Sequence, residues 1–155
     1  MFIIRAEELD QNPMLLHGLQ VEIAGYTPGY TYNNQTIKIA HTTDNQFGDN
    51  VKTDLTNISG VSDLITVKDS FTWTINNSGW QTIDFDTNFE WNGTDHVLII
   101  WENRDGGWGS GFGWAECEAD NTYYSSWFKY QDSGYPTSSY GTKDQTYRPN
   151  FKLNY

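Results

Sequence analysis

Apolar and polar residues alternate with a period of two over most of the chain. Phe71, Trp73 and Ile75 fall on one side of a predicted strand, and threonines fall on the other side. Only residues 6–9 have helical spacing, over about one turn. The same alternation is found at residues 36–39, 82–85 and 151–154. Because a period of two is typical of strands, the pattern predicts an all-β fold.

One predicted strand is apolar on both sides. Residues 96–101 have this character, which is expected of a central strand covered by a second sheet. Gly93 is expected to need a positive φ in the turn that follows residue 88. About eight to ten strands and no linker or repeat are expected, so residues 1–155 are predicted to form a single antiparallel two-sheet jelly-roll sandwich. The turn signals that separate the strands lie at residues 76–79, 88–93, 105–107 and 132–134.

The composition favours a folded chain with a core of large rings. The sequence has 7 Trp, 10 Tyr and 8 Phe, whereas disordered chains contain few aromatic residues. Cys117 is the single cysteine, so no disulfide can form within the chain, and its position in a predicted strand indicates a buried thiol. No apolar run approaches the ~18 residues of a membrane span. The first residues lack a signal-peptide pattern, so we expect a part of a longer protein or another route of export.

The charge is strongly acidic, with a formal net charge of −11. Such a surface repels phosphate backbones, so nucleic acid is not an expected partner. Asp- and Asn-rich loops supply the hard oxygen ligands that calcium prefers, and Glu102, Asp105 and Asp120 are the candidate ligands of a structural Ca²⁺. None of these loops has EF-hand spacing, and solvated Asx turns are the alternative interpretation.

A glycine-rich segment provides candidate binding residues. Residues 103–113 contain five glycines together with Trp108 and Phe112. Sugars stack their apolar faces on exposed rings, while amides and carboxylates bind their hydroxyl groups. We therefore predict a carbohydrate platform, unless these rings simply cover the ends of the sandwich. Its candidate residues are Trp108, Phe112, Tyr135, Tyr140, Asn103 and Asp105.

The reactive residues do not form a recognisable catalytic motif. His17, His41 and His96 are far apart in the sequence, and no nucleophile elbow is present. Glu116 and Glu118 fall on one face of a strand, whereas glycoside hydrolysis needs two carboxyl groups facing each other across a cleft. His41 is interpreted as a hydrogen-bonded structural histidine. We predict that the protein is not an enzyme.

Several segments occur in a characteristic order along the chain, namely residues 2–9 (FIIRAEEL), 36–43 (TIKIAHTT), 79–85 (GWQTIDF), 89–94 (FEWNGT), 97–100 (VLII) and 148–153 (RPNFKL). In this order they resemble a β-sandwich module of large secreted and cell-surface adhesin proteins of Bacteroidetes-type bacteria, related versions of which occur in some phage structural proteins. The match runs from residue 2 to residue 153, and it departs from the module at residues 95–96 and in the loop after Trp101.

The resemblance implies a jelly-roll sandwich that serves in adhesion, in surface display or as a spacer. It implies no catalytic residues to carry over. It implies an extracellular or cell-surface location, with a virion as the alternative, and other copies or neighbouring modules as partners. Jelly-roll modules also commonly hold calcium, which is an implication of the fold alone. The leading hypothesis is a non-catalytic structural or adhesive module, and the alternative is a carbohydrate-binding module that uses loop aromatics.

Overall fold

The computed structural model describes residues 1–10, 12–105, 114–115, 117–118, 122–131 and 134–155. One 3-10 turn, Ala6–Glu8, lies where the sequence predicted one helical turn, and within the described residues every other regular element is a strand. The strands are β1 (Phe2–Ile4), β2 (Met14–Gly25), β3 (Tyr30–Thr42), β4 (Ser62–Ile75), β5 (Gly79–Trp91), β6 (His96–Asn103), β7 (Trp114–Ala115), β8 (Cys117–Glu118), β9 (Ser126–Phe128), β10 (Thr142–Asp144), β11 (Arg148–Pro149) and β12 (Phe151–Asn154). The all-β prediction is confirmed.

The strands form two antiparallel sheets. The first sheet has the order β10-β9-β1-β6-β3-β4, and the second has the order β12-β2-β5, with β7 also paired to β2. Strands β8 and β11 form a short additional pair. This arrangement is that of a sandwich, and the strand order is compatible with a jelly roll.

The main core lies between the two sheets. Val97 and Ile99 of β6 face Leu19 of β2 and Ile83 of β5, and Trp91 at the end of β5 joins them. The alternation at the end of β4 is as predicted. Phe71 and Trp73 are half-buried and Ile75 is buried, whereas Thr72 and Thr74 are exposed. Alternation in the two facing sheets therefore produces the core that the sequence pattern predicts.

A second core covers the opposite face of the first sheet. Leu98 and Ile100 of β6 point away from the second sheet and pack with Phe47 and Val51. These two belong to the segment 43–61, which carries no long strand and crosses the outside of the sheet. The predicted central strand, residues 96–101, is thus covered on both faces, by a sheet on one side and by an irregular segment on the other.

Two local predictions are corrected and one is confirmed. Strand β5 continues to Trp91, so the turn predicted for residues 88–93 spans residues 92–95 instead. Cys117 is exposed, which contradicts the buried thiol, because in the described part of the chain its short strand β8 pairs with β11 and with neither main sheet. Gly93 has a φ of 81°, as predicted, and a Cβ at this position would lie 2.8 Å from the backbone nitrogen of Pro13.

Charged side chains join the turn that follows β1 to β11, near the other end of the chain. Glu8 accepts hydrogen bonds from Arg148 at 2.6 and 3.0 Å and from the Arg5 side chain at 2.8 Å. Partial burial of Glu8 tends to raise its pKa, but the hydrogen bonds and charges of the two arginines outweigh it and hold the pKa below the ordinary value. The ionised form of Glu8 is therefore the one that the fold stabilises.

We expect Leu98→Ala to lower the free energy of unfolding by about 2–5 kcal/mol, because it empties a fully buried position of the outer core. Leu64→Ala makes the same chemical change at a position on β4 that is 48% exposed, so its effect should stay below about 1 kcal/mol. Urea unfolding of both variants measures the difference. Equal effects would show that segment 43–61 does not pack on the sheet.

We expect the stabilisation by Glu8 to depend on pH. Because its pKa is lowered in the folded state, its contribution is complete above the ordinary pKa of 4.5 and is lost as the pH falls through the lower, folded value. The unfolding free energy of the unsubstituted protein should exceed that of Glu8→Gln by a constant amount above about pH 6, and the difference should shrink in more acidic buffer. A pH-independent difference would contradict this assignment.

Candidate functional site

A cleft with a volume of about 640 Å³ opens between the two sheets, where β6 leaves the core. Eight of its described lining residues carry aromatic rings, and the other lining residues are aliphatic or polar. The rings are Phe2, Trp73, Trp101, Trp127, Phe128, Tyr130, Tyr135 and Phe151, and the polar residues include Asn103, Arg104, Lys129 and Gln131.

Trp101 is fixed at the base of the cleft by packing and by a hydrogen bond. Its ring lies 5.2 Å from that of Trp73, at 50°, and its Nε1 donates to Oε1 of Gln35 at 3.0 Å. The same Gln35 donates through Nε2 to Oδ1 of Asn103 at 2.7 Å. Gln35 is buried, and both the oxygen and the nitrogen of its amide are hydrogen-bonded. It therefore holds Trp101 and Asn103 in a defined geometry.

Phe128 and Tyr130 form an exposed aromatic pair at the mouth of the cleft. Their rings are almost parallel, at 9°, with centroids 6.3 Å apart. Alternating positions on an extended segment place both rings on one side. Both side chains are exposed, and Tyr130 is 75% exposed. These rings therefore offer flat apolar surface to solvent beside polar groups.

A buried carboxylate organises the basic side of the cleft. Glu102 is only 7% exposed, and its Oε1 accepts from Nζ of Lys38 at 2.7 Å. Its Oε2 accepts from Nε and one terminal nitrogen of Arg104, at 2.9 and 2.8 Å. The guanidinium of Arg104 in turn lies over the ring of Tyr135, with Cζ 3.9 Å from the ring centroid. This chain of contacts fixes Arg104 before any ligand binds.

The same contacts shift two pKa values. Burial tends to raise the pKa of Glu102, but the hydrogen bonds and charges of Lys38 and Arg104 hold it below its ordinary value. Burial, followed by the negative charge of Glu102, raises the pKa of Tyr135 to about 12. Glu102 is therefore ionised and Tyr135 neutral at ordinary pH.

The structure brings together some of the candidate binding residues and separates others. Asn103 and Tyr135 line the cleft, and Asp105 is adjacent, since its backbone N–H donates to Oδ1 of Asn103 at 3.1 Å. Tyr140 is 59% exposed but does not line the cleft, because it pairs with Lys52 on the segment that covers the outer core. The predicted residues Trp108 and Phe112 lie outside the described residues.

Sequence reasoning missed several residues of the cleft. Trp101 was assigned to the covered strand, and no role was assigned to Arg104. A signal for the exposed pair was present, because Phe128 and Tyr130 alternate with Lys129 in a short extended segment. The position of that segment beside β6 depends on the pairing of β1 with β9, which the sequence pattern does not specify.

Two of the three candidate calcium ligands, Glu102 and Asp105, lie among the described residues. Both oxygens of Glu102 accept hydrogen bonds from basic side chains, and Oδ1 of Asp105 accepts from Nδ2 of Asn33 at 3.3 Å. Asp120 lies outside the described residues. Among the residues that are described, no three His, Cys, Asp or Glu side chains form a group that could hold a metal ion. Structural calcium stays a prediction.

His41 has a structural role in a different part of the sandwich. Its Nε2 accepts from the backbone N–H of Asn92 at 3.2 Å, so the neutral ring carries its proton on Nδ1, 3.2 Å from Oδ2 of Asp63. The ring is buried and lies 4.8 Å from that of Phe89. The interpretation of His41 as a hydrogen-bonded structural histidine is confirmed.

We expect Glu102→Gln to move the pKa of Tyr135 down from about 12 towards its ordinary value of 10.0, because the neighbouring negative charge is removed while the burial remains. Titration of labelled tyrosine rings by NMR measures the change. Tyr155 is the internal control, since Asp10 raises its pKa and this pair is untouched by the substitution. A Tyr135 pKa that does not change would contradict the described contact.

Comparison of the chain with protein-family models, with curated proteins and with solved structures gives no match. In the part of the chain that is described, no helix has both the length and the apolar character needed to cross a bilayer. The interpretation of the cleft therefore depends on its own geometry and chemistry.

Proposed function

We propose that this protein is a non-catalytic adhesive module that binds carbohydrate in the cleft beside β6. The observation that carries the proposal is the combination of exposed, flat aromatic rings with fixed polar groups in one cleft of about 640 Å³. Such a combination is typical of small-ligand sites, where apolar surfaces supply most of the affinity and a few polar groups set the orientation.

The rings suit the shape of a sugar. A pyranose has C–H groups on its faces and hydroxyl groups around its edge, so a flat ring can cover a face while leaving the edge free. Phe128 and Tyr130 present nearly parallel rings to solvent, and rigid rings lose little conformational entropy on binding. Asn103 lines the same cleft, and its side-chain amide is of the kind that hydrogen-bonds hydroxyl groups at the edge. Stacking and hydrogen bonding can therefore act on one sugar residue together.

The composition of the lining supports binding over hydrolysis. Glycoside hydrolysis uses two carboxyl groups that flank the bond to be cleaved. Among the described lining residues there is no Asp, Glu, His or Cys. The nearest buried carboxylate, Glu102, is held ionised by two basic side chains, so it is a poor proton donor.

An adhesive role also fits the remaining expectations for the protein. A glycan ligand and a net charge of −11, which keeps a protein in solution, are both compatible with an extracellular or cell-surface module. In the same proposal, the partners are neighbouring modules or further copies of this chain. A virion is the alternative location. In each of these settings the cleft supplies the contact with the glycan.

We expect the protein to be retained by at least one member of a panel of immobilised neutral and acidic polysaccharides. Tyr130→Ala should weaken that binding about ten-fold, because the loss of one stacked ring removes roughly 1.5 kcal/mol of apolar contact. Affinity electrophoresis in the retained polysaccharide measures the change. Tyr147→Ala is the matched control, since this tyrosine is 60% exposed and does not line the cleft.

Two outcomes would contradict carbohydrate binding. One is the absence of retention on every polysaccharide of the panel. The other is equal binding by Tyr130→Ala and Tyr147→Ala, which would place the contact elsewhere. In either case a purely structural role remains, and sedimentation at high protein concentration tests it, because an assembly subunit should self-associate.

A further inference from the structure

We propose that the ligand of the cleft is an acidic polysaccharide, and that Arg104 and Lys129 select its carboxylate or sulfate groups. This inference rests on the proposed function, and it adds the chemical class of the glycan. It is carried by the local charge of the cleft and by the way in which Arg104 is held.

The charged residues in the described lining of the cleft are opposite in sign to the net charge of the protein. The chain has 20 acidic and 9 basic residues, yet the charged side chains among the described lining residues are Arg104 and Lys129, both basic. Asp105 is close to Arg104 in sequence, but it contacts Asn33 and is not among the lining residues. An anionic group in the cleft therefore meets cations at short range.

Arg104 is preorganised as an anion-binding group. Glu102 occupies the edge formed by Nε and one terminal nitrogen, at 2.9 and 2.8 Å, and Tyr135 covers one face of the guanidinium. A guanidinium carries more N–H donors than this carboxylate oxygen can accept, so donors remain for a ligand. Their planar, fixed arrangement matches a carboxylate or a sulfate.

The buried carboxylate does not cancel the positive charge of this side of the cleft. Glu102 is shared between Arg104 and Lys38, so it neutralises the charge of Arg104 only in part. Lys129 is exposed and is the second basic residue among the described lining residues. The exposed rings and the basic groups thus lie in one cleft, as recognition of a charged sugar requires.

The test compares two forms of one polymer: polygalacturonate and its fully methyl-esterified form, which has the same backbone without the charge. We expect the protein to bind the charged form at least about five-fold more tightly, and we expect this preference to fall when NaCl is raised from about 0.05 M to about 0.5 M. A sulfated polysaccharide and its desulfated form, compared in the same way, distinguish sulfate from carboxylate as the selected group. Affinity electrophoresis gives both affinities.

Single substitutions assign the preference to the cleft. Lys129→Gln should reduce the preference about two- to five-fold, and Arg104→Gln should reduce it by at least as much. Lys68→Gln is the matched control, because it removes the same charge from an ion pair with Asp86 on the β4–β5 side of the sandwich. Lys129 makes none of the described ion pairs, so its variant remains informative even if Arg104→Gln fails to fold.

The outcomes separate this inference from the proposed function. Equal binding of the charged and uncharged forms in both polymer pairs, or preference for the neutral forms, would overturn the acidic ligand while leaving carbohydrate binding intact. Loss of preference in Lys68→Gln equal to that in Lys129→Gln would also overturn it, since net charge alone would then explain the effect. No binding to any polysaccharide would overturn both proposals.

Discussion

Strand β6 has apolar side chains on both faces, and the rest of the structure depends on covering both of them. Burying apolar surface is the dominant favourable term in folding, and a strand exposes its side chains alternately to two sides. Val97 and Ile99 are covered by the second sheet, whereas Leu98 and Ile100 are covered by segment 43–61. The protein is therefore a sandwich with an additional outer layer, and β6 runs through the middle of both cores.

The cleft is a consequence of where β6 leaves these cores. Its register with β3 places Lys38 opposite Ile100, Thr36 opposite Glu102 and Gln35 opposite Asn103. A buried carboxylate is tolerated only if it is paired, and this register brings Lys38 within 2.7 Å of Glu102. The ion pair then positions Arg104, so the pairing of two strands determines the geometry of a group at the protein surface.

Much of this fold can be predicted from the sequence, because alternation is a local signal. It predicted parts of β3, β4, β5 and β12 and the covered central strand, and the turn signal predicted the positive φ of Gly93. The outer layer could not be predicted, because Phe47 and Val51 stand in a polar segment without periodicity. The ion pair of Glu102 could not be predicted, because its partner Lys38 is 64 residues away in sequence. The strand at Cys117 was predicted correctly, but its burial was not. The place of this strand outside the main sheets depends on tertiary pairing, which the local sequence does not specify.

The negative charge of the whole protein does not prevent a basic cleft from binding an anion. At physiological ionic strength the Debye length is about 8 Å, so exposed charges beyond that distance are largely screened. A ligand inside the cleft is within contact distance of Arg104 and Lys129, while most of the 20 acidic residues act through screening solvent. In the proposed complex we therefore expect contact with a fixed guanidinium, whose position costs no further ordering on binding, to outweigh the repulsion from distant acidic residues. The net charge reduces the rate at which a polyanion approaches, and the local groups determine how tightly it is held.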